Sequence, residues 1–353
     1  MTYTDSTPYD CFVSDSFQAF EEAAKDLAMK ERRIVLIAEK HYSAFYSNDL
    51  SDIFRAAGKS FDLYEIIGEV KDFAEEAEKL AKAVEPVGLT TDDCIVALGG
   101  HVADAVTRIF ASRYFEGIKY VFLPVTLTSQ VLPFAENEPI LEINTKDVPA
   151  YAPSLVYINL FAFKYLSQDE RLSGMGEILR RSVADNRSML VYLEENIGRK
   201  PESFSEFLLN LIMNCITTNK HLAAKKKPAE ASAIYGYTLA RGLEKCTNYI
   251  IPHGQAAGIG MVVANSIAAK RGLLKDDENF RIAKMMVTNG LSVSMNFTDE
   301  LIEAICAAVE SDGIVSENGT LQQFVTIDKP GHTLILNDVT MDEIKDVTNY
   351  KKF

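Results

Sequence analysis

The chain has 353 residues, 47% of them apolar and 24% charged, a size and balance that fit two globular domains with substantial cores. Its 50 acidic against 36 basic residues leave a formal net charge of −14, which excludes gripping nucleic acid or anionic lipid by a basic surface alone. The five cysteines (Cys11, Cys94, Cys215, Cys246, Cys306) are too widely spaced for a disulfide framework or a paired-cysteine metal knuckle. No apolar run reaches about 18 residues and the N-terminus is polar, so a cytoplasmic protein without membrane contact is expected.

In chain order, Phe17 to Met29 carries apolar residues at helical spacing, and Arg33 opens the short apolar run RIVLIA. A helix is expected over Ala44–Ala57, a strand over Phe61–Ile67, and a charged amphipathic helix over Glu69–Val84. DDCIVALGG then reads as a buried strand ending in Gly99 and Gly100, followed by a helix from Val102 to Phe115 and the strand IKYVFLPV. Apolar strand runs separated by helices predict βαβ units and a mostly parallel, doubly wound α/β domain, placed at residues 1–158. Beyond Asn159 the pattern turns helical: Gln168–Glu195, Ser203–His221, Ala231–Asn248, Gly254–Arg271, Phe280–Asn289 and Thr298–Ser311. An all-helical domain at 159–353 follows. The one sizeable basic run, Lys225-Lys226-Lys227, reads as a solvated loop.

Four stretches carry a resemblance. Residues 92–131 run without a gap along the pattern D-x-I-I-A-L-G-G-G-V-V-G-D, with its following helix and strand. GMGEILRRS at Gly174 matches G-x-x-E-x-I-K, YGYTLARGLE at Tyr235 matches F-G-H-T-x-G-H-A-I-E, and PHGQAAGIGMVVAN at Pro252 matches x-H-G-E-A-V-A-I-G-M. In this order and near this spacing the chain resembles the 3-dehydroquinate synthase family, whose frame is shared with glycerol-1-phosphate dehydrogenases and iron-type alcohol dehydrogenases. The resemblance implies a NAD-binding first domain, zinc on the second, a homodimer, and a shikimate-pathway lyase reaction. That reaction eliminates phosphate from a seven-carbon sugar phosphate and closes a carbocycle.

Residue by residue, the resemblance also points to loss. At the dinucleotide cradle Gly99 and Gly100 remain, His101 stands at the third glycine position, Asp104 is displaced by one residue from the family carboxylate, and Thr126 remains from a Thr-Thr pair. A lone glycine pair is equally the signature of a tight strand-to-helix turn. The three metal ligands fall at Glu177, Tyr237 and His253, where the family has Glu, His and His. A phenol ligates well only after losing a proton, from a reference pKa of about 10. Glu177 and His253 fit a degenerate metal site or a buried hydrogen-bonded pair. Of the substrate-holding cations, Arg180 replaces a lysine and Arg241 a histidine, and both are candidate catalytic groups. Glu138, Glu230 and Asp312-Gly313 stand where the family has positive charge.

Two readings follow from this pattern. In the first, NAD and zinc bind weakly or not at all and the chain is a pseudoenzyme with a structural, regulatory or hetero-oligomeric role. In the second, a divergent sugar-phosphate cyclase or oxidoreductase has rebuilt its cleft for another small anion from His101, Asp104, Glu138, Glu177, Arg180, Tyr237, Arg241 and His253.

Overall fold

The computed structural model describes residues 2–3, 9–17, 19–20, 33–114, 117–133, 148–196, 203–224, 232, 234–248, 250–311, 320–321 and 324–349. The chain divides into two compact units, residues 1–166 and 167–353. Of the helix expected at Phe17–Met29 only residues 17, 19 and 20 are described, and the positions Glu138, Lys225–Lys227, Glu230 and Asp312-Gly313 lie outside the described residues.

Unit 1 is built on a seven-stranded sheet. Its strands are β1 (Thr2–Tyr3), β2 (Asp10–Ser14), β3 (Arg33–Glu39), β4 (Ser60–Ile66), β5 (Cys94–Gly99), β6 (Tyr120–Pro124) and β7 (Leu155–Asn159), in the order β1-β2-β7-β6-β5-β3-β4. All neighbours are parallel except β1, which runs antiparallel to β2. Every residue of β5, β6 and β7 is buried, as strands covered on both faces require, while the edge strand β4 is exposed or half-buried except at Ile66. Helices α1 (Lys40–Ala56), α2 (Phe73–Val84), α3 (His101–Arg113) and the short α4 (Leu127–Val131) fill the connections. The amphipathic helix starts at Phe73, later than its charge pattern suggests, because the Asp72 carboxylate accepts from the Glu75 N–H and caps it there.

The chain winds outward from β3 to β4, returns to β5, and then winds the other way through β6 and β7. The direction therefore switches between the carboxyl ends of β3 and β5, the position where open α/β sheets form a ligand crevice.

Unit 2 consists mainly of α5 (Gln168–Ala184), α6 (Arg187–Asn196), α7 (Phe204–Ala224), α8 (Tyr237–Cys246), α9 (His253–Lys270), α10 (Asp276–Thr288), α11 (Asp299–Ser311) and α12 (Met341–Asn349). A capping box between Ser167 and Glu170 starts α5. The single helix expected over Gln168–Glu195 is two, since Asn186 turns its side chain to the Met189 N–H and starts α6. Helix α8 begins only at Tyr237 because Gly236 sits at φ +78, outside helical geometry. The unit is not purely helical, which corrects the expected all-helical domain. β9 (Phe324–Lys329) and β10 (His332–Leu336) form an antiparallel hairpin across Pro330-Gly331, and β8 (Thr320–Leu321) pairs with β11 (Val339–Thr340). The β-branched residues Val325, Thr326, Ile327, Thr333 and Ile335 on either side of a Pro-Gly turn favour the hairpin.

Candidate functional site

The residues singled out in the sequence gather at two places, one in each unit. In unit 1, Gly99 ends β5, Gly100 is the N-cap of α3, and Thr126 follows β6. Thr126 caps α4 by accepting from the Ser129 N–H at 3.1 Å, and a Cβ on Gly100 would lie 3.2 Å from its methyl group. The cradle residue that sequence reasoning passes over is Glu39, the last residue of β3. Its Oε1 accepts from the Gly100 N–H at 2.7 Å and the Ala103 N–H at 3.2 Å. An acid closing an apolar strand beside a glycine turn is the available signal, since nucleotide folds carry a carboxylate at that place.

His101 and Asp104 face elsewhere. His101 is buried, with Nε2 donating to the Leu132 carbonyl at 3.0 Å and Nδ1 without a hydrogen-bond partner. Asp104 is buried in an ion pair with Arg108 and accepts from the Tyr120 hydroxyl at 3.2 Å. Both groups belong to the packing of α3, so neither meets the Gly99-Gly100 turn as a ligand group.

In unit 2, α5 supplies Glu177 and Arg180, α8 supplies Tyr237 and Glu244, and α9 supplies His253. Two glycines bring α5 and α9 together: a Cβ on Gly176 would lie 2.9 Å from the Gly254 Cα, and one on Gly254 would run into the Leu172 backbone. Each glycine adjoins a functional residue, so the close crossing sets the spacing of Glu177 from His253. Glu177 Oε1 accepts from the Tyr237 hydroxyl and faces His253 Nε2 at 3.2 Å. Glu177 Oε2 accepts from Arg180 Nε at 3.0 Å and Nη2 at 2.7 Å. Arg180 also donates to the Ser232 carbonyl at 2.7 Å, and its guanidinium carbon stands 4.9 Å from the centre of the Tyr237 ring. His253 Nδ1 meets Glu244 Oε1 at 3.0 Å.

All five side chains are buried. Burial alone would raise the Glu177 carboxyl, but the Arg180 charge and His253 more than reverse that and hold it well below the usual carboxylate range. Both imidazole nitrogens face carboxylate oxygens, Nε2 towards Glu177 and Nδ1 towards Glu244. Two carboxylates thus meet one guanidinium and one imidazole. Arg241, one helical turn beyond Tyr237, is exposed, in contrast to the buried Arg180. Glu244 is the other residue sequence reasoning passes over. It lies seven positions after Tyr237, about two helical turns, and so shares its face of α8.

Among the described residues no cluster of three or more His, Cys, Asp or Glu side chains is arranged to hold a metal, and no helix is long and apolar enough to cross a membrane. Residues 174–313, which contain the whole Glu177 cluster, match the family model for the 3-dehydroquinate synthase C-terminal domain. Over that stretch the chain carries a 3-dehydroquinate synthase-type C-terminal domain. It is 27% identical over 308 residues to the 3-dehydroquinate synthase of Thermoanaerobacter pseudethanolicus, covering 83% of this chain and 85% of that one. To the 3-dehydroquinate synthase of Lactococcus lactis subsp. cremoris it is 26% identical over 349 residues, 96% of each chain.

Among solved structures, this dehydroquinate synthase-like chain resembles a 2-deoxy-scyllo-inosose synthase complexed with carbaglucose-6-phosphate, NAD+ and Co2+. The TM-score is 0.84 at 16% identity, covering 99% of both chains. A 2-epi-5-epi-valiolone synthase from Streptomyces hygroscopicus subsp. jinggangensis with NAD+ and Zn2+ bound superposes with a TM-score of 0.80 at 20% identity, covering 98% of this chain and 97% of that one. An iron-containing alcohol dehydrogenase shares the fold more distantly, with a TM-score of 0.62 at 14% identity over 98% of this chain and 97% of that one.

Proposed function

We propose that this chain does not run the family's phosphate elimination and carbocyclisation, and that it serves as a structural, regulatory or hetero-oligomeric partner on the family frame. The observation that carries this reading is the engagement of Glu177. One oxygen is taken by the Tyr237 hydroxyl and His253, the other by two nitrogens of Arg180.

The solved relatives above hold Zn2+ or Co2+. A catalytic zinc generally takes three protein ligands and keeps an open position. Here the candidate donors are one imidazole, one neutral phenol that donates to Glu177, and a carboxylate already neutralised by a buried guanidinium 2.7 Å away. A divalent ion would have to displace the Arg180 guanidinium and the Tyr237 hydroxyl from Glu177, and breaking a buried ion pair is strongly unfavourable. The donor set does not fit a resident zinc. The crevice between β3 and β5 likewise holds a carboxylate where a dinucleotide would bring phosphate.

The test is release of phosphate from the family's seven-carbon sugar phosphate at high protein concentration with NAD and zinc supplied. We expect no turnover above background, whereas a rate above roughly 1 per second, within the ordinary enzyme range, overturns the reading. Elemental analysis of gently purified protein should find well under one equivalent of zinc. Stoichiometric zinc that Tyr237→Phe removes would instead favour a rebuilt cyclase with a phenolate ligand.

A further inference from the structure

The first backbone N–H groups of a helix have no partner within it, and helix N-termini behind glycine turns commonly give these groups to phosphate. In α3 two of them, those of Gly100 and Ala103, are already taken. Gly100 has no side chain to cap its own helix, and the cap arrives from a different strand: Glu39 Oε1 accepts from Gly100 N–H at 2.7 Å and Ala103 N–H at 3.2 Å. Gly99 points to the same carboxylate. It sits at φ +155, and the nearest atom to a Cβ placed there would be that same Glu39 oxygen. The bare backbone that a glycine turn offers to an external anion is here spent on the chain's own carboxylate. The place is also the topological switch point between β3 and β5, where the fold would seat a ligand.

We propose that Glu39 is a resident occupant of the phosphate seat, so that this crevice rejects dinucleotides and phosphate anions until that carboxylate is removed. The inference concerns binding alone and holds or falls independently of turnover. A strand-end carboxylate in a nucleotide fold can instead accept from the ribose hydroxyls, in which case it helps the cofactor. The two roles predict opposite signs for the same variant.

The experiment is calorimetric titration of the full chain with ADP and, separately, with inorganic pyrophosphate, comparing wild type, Glu39→Gln and Glu39→Ala. Glu39→Gln keeps an acceptor for the two N–H groups and removes only the charge. Glu39→Ala opens the seat. A unit charge about 4 Å from another at an effective dielectric near 20 is worth on the order of a 1,000-fold change in affinity, and solvent will leave a part of it. We expect wild type to bind ADP no tighter than about 1 mM, and both variants to bind at least about 10-fold tighter, with Glu39→Ala the tightest. Wild-type binding below about 50 µM overturns the proposal, as does any result in which removing the charge leaves affinity unchanged or lowers it. If Glu39→Ala fails to fold, Glu39→Gln decides alone.

Discussion

A Cβ placed on Gly254 would meet the Leu172 carbonyl and the Ser173 Cα, all backbone atoms that cannot swing aside. Alanine there should gain the roughly 1 kcal/mol that separates it from glycine in a helix and lose more to the forced separation of α5 from α9. We expect Gly254→Ala to lower stability by a net of about 1–3 kcal/mol in thermal or urea unfolding. Gly176→Ala forces the same two helices apart, so the double variant should cost less than the sum of the singles. Arg180 offers a second test. Arg180→Ala would leave Glu177 buried against one phenol and one imidazole, and a broken buried ion pair typically costs about 3–5 kcal/mol. Arg180→Lys retains the charge but not the two-nitrogen contact to Oε2, so its loss should be intermediate. At this scale Glu177, Tyr237 and His253 are legible as a group because they lie in motifs with fixed spacing. Glu39 and Glu244 are less so, because what they touch is decided by strand order and by packing between helices. His101 and Asp104 show the same limit: composition marks them as polar groups beside a cradle, and only tertiary packing turns them toward Leu132 and Arg108.

The elements best legible in the sequence are the ones buried on both faces. RIVLIA, CIVALG and YVFLP are apolar runs because β3, β5 and β6 have no solvent side, and a run of that kind needs no partner to be recognised. β2 alternates between buried and half-buried positions and lies among polar residues, so its pairing with β7 is visible only in three dimensions. The β9–β10 hairpin did carry a local signal in its Pro-Gly turn, and the helical pattern around it outweighs that signal in a sequence reading. Helix α12 is held by a different device. Arg271, at the end of α9, donates through Nε and Nη2 to the two oxygens of Glu343 at 2.8 and 2.7 Å, and through Nη1 to Asp338 at 2.6 Å. Those bonds from Arg271 hold the Glu343 carboxyl below its usual value of 4.5, against a smaller opposing effect of burial. A carboxyl lowered in the folded state contributes fully above its unfolded pKa, and the contribution fades as pH falls from there through the folded value. Amide exchange in residues 341–349 should therefore be flat with respect to this pair from pH 7 to about 5 and accelerate, beyond the intrinsic rate, below about 4.5. Arg271→Ala should expose the same amides already at neutral pH, by about 1 kcal/mol, and remove most of the acid dependence. Unchanged acid dependence in that variant would refute the clamp.

For the molecule as a whole, ligand linkage gives a test that needs no substrate. A ligand that binds only the folded state stabilises it by RT ln(1 + [L]/Kd), about 4 kcal/mol when its concentration is 1,000 times Kd. A chain that bound NAD at micromolar strength would therefore melt several degrees higher in 1 mM NAD, since 1 kcal/mol corresponds to about 2–4 °C for chains approaching this size. Glu39 at the N-terminus of α3 and the net charge of −14 both act against a dianionic ligand, the first locally and the second as a weak field screened beyond about 8 Å at physiological salt. Zinc faces a different obstacle, the Arg180 guanidinium against Glu177. The two obstacles lie in different units, so the two ligands report on separate parts of the chain. We expect about 1 mM NAD and a few equivalents of zinc, alone or together, to move the melting temperature by less than about 1 °C at physiological salt. Repeating the NAD arm at high salt separates the causes: a shift that appears only there would show the diffuse field to be the obstacle, and none should appear while Glu39 holds the Gly100 and Ala103 N–H groups. A shift of several degrees with NAD at physiological salt would mean that the carboxylate yields to the cofactor and that the crevice is in use.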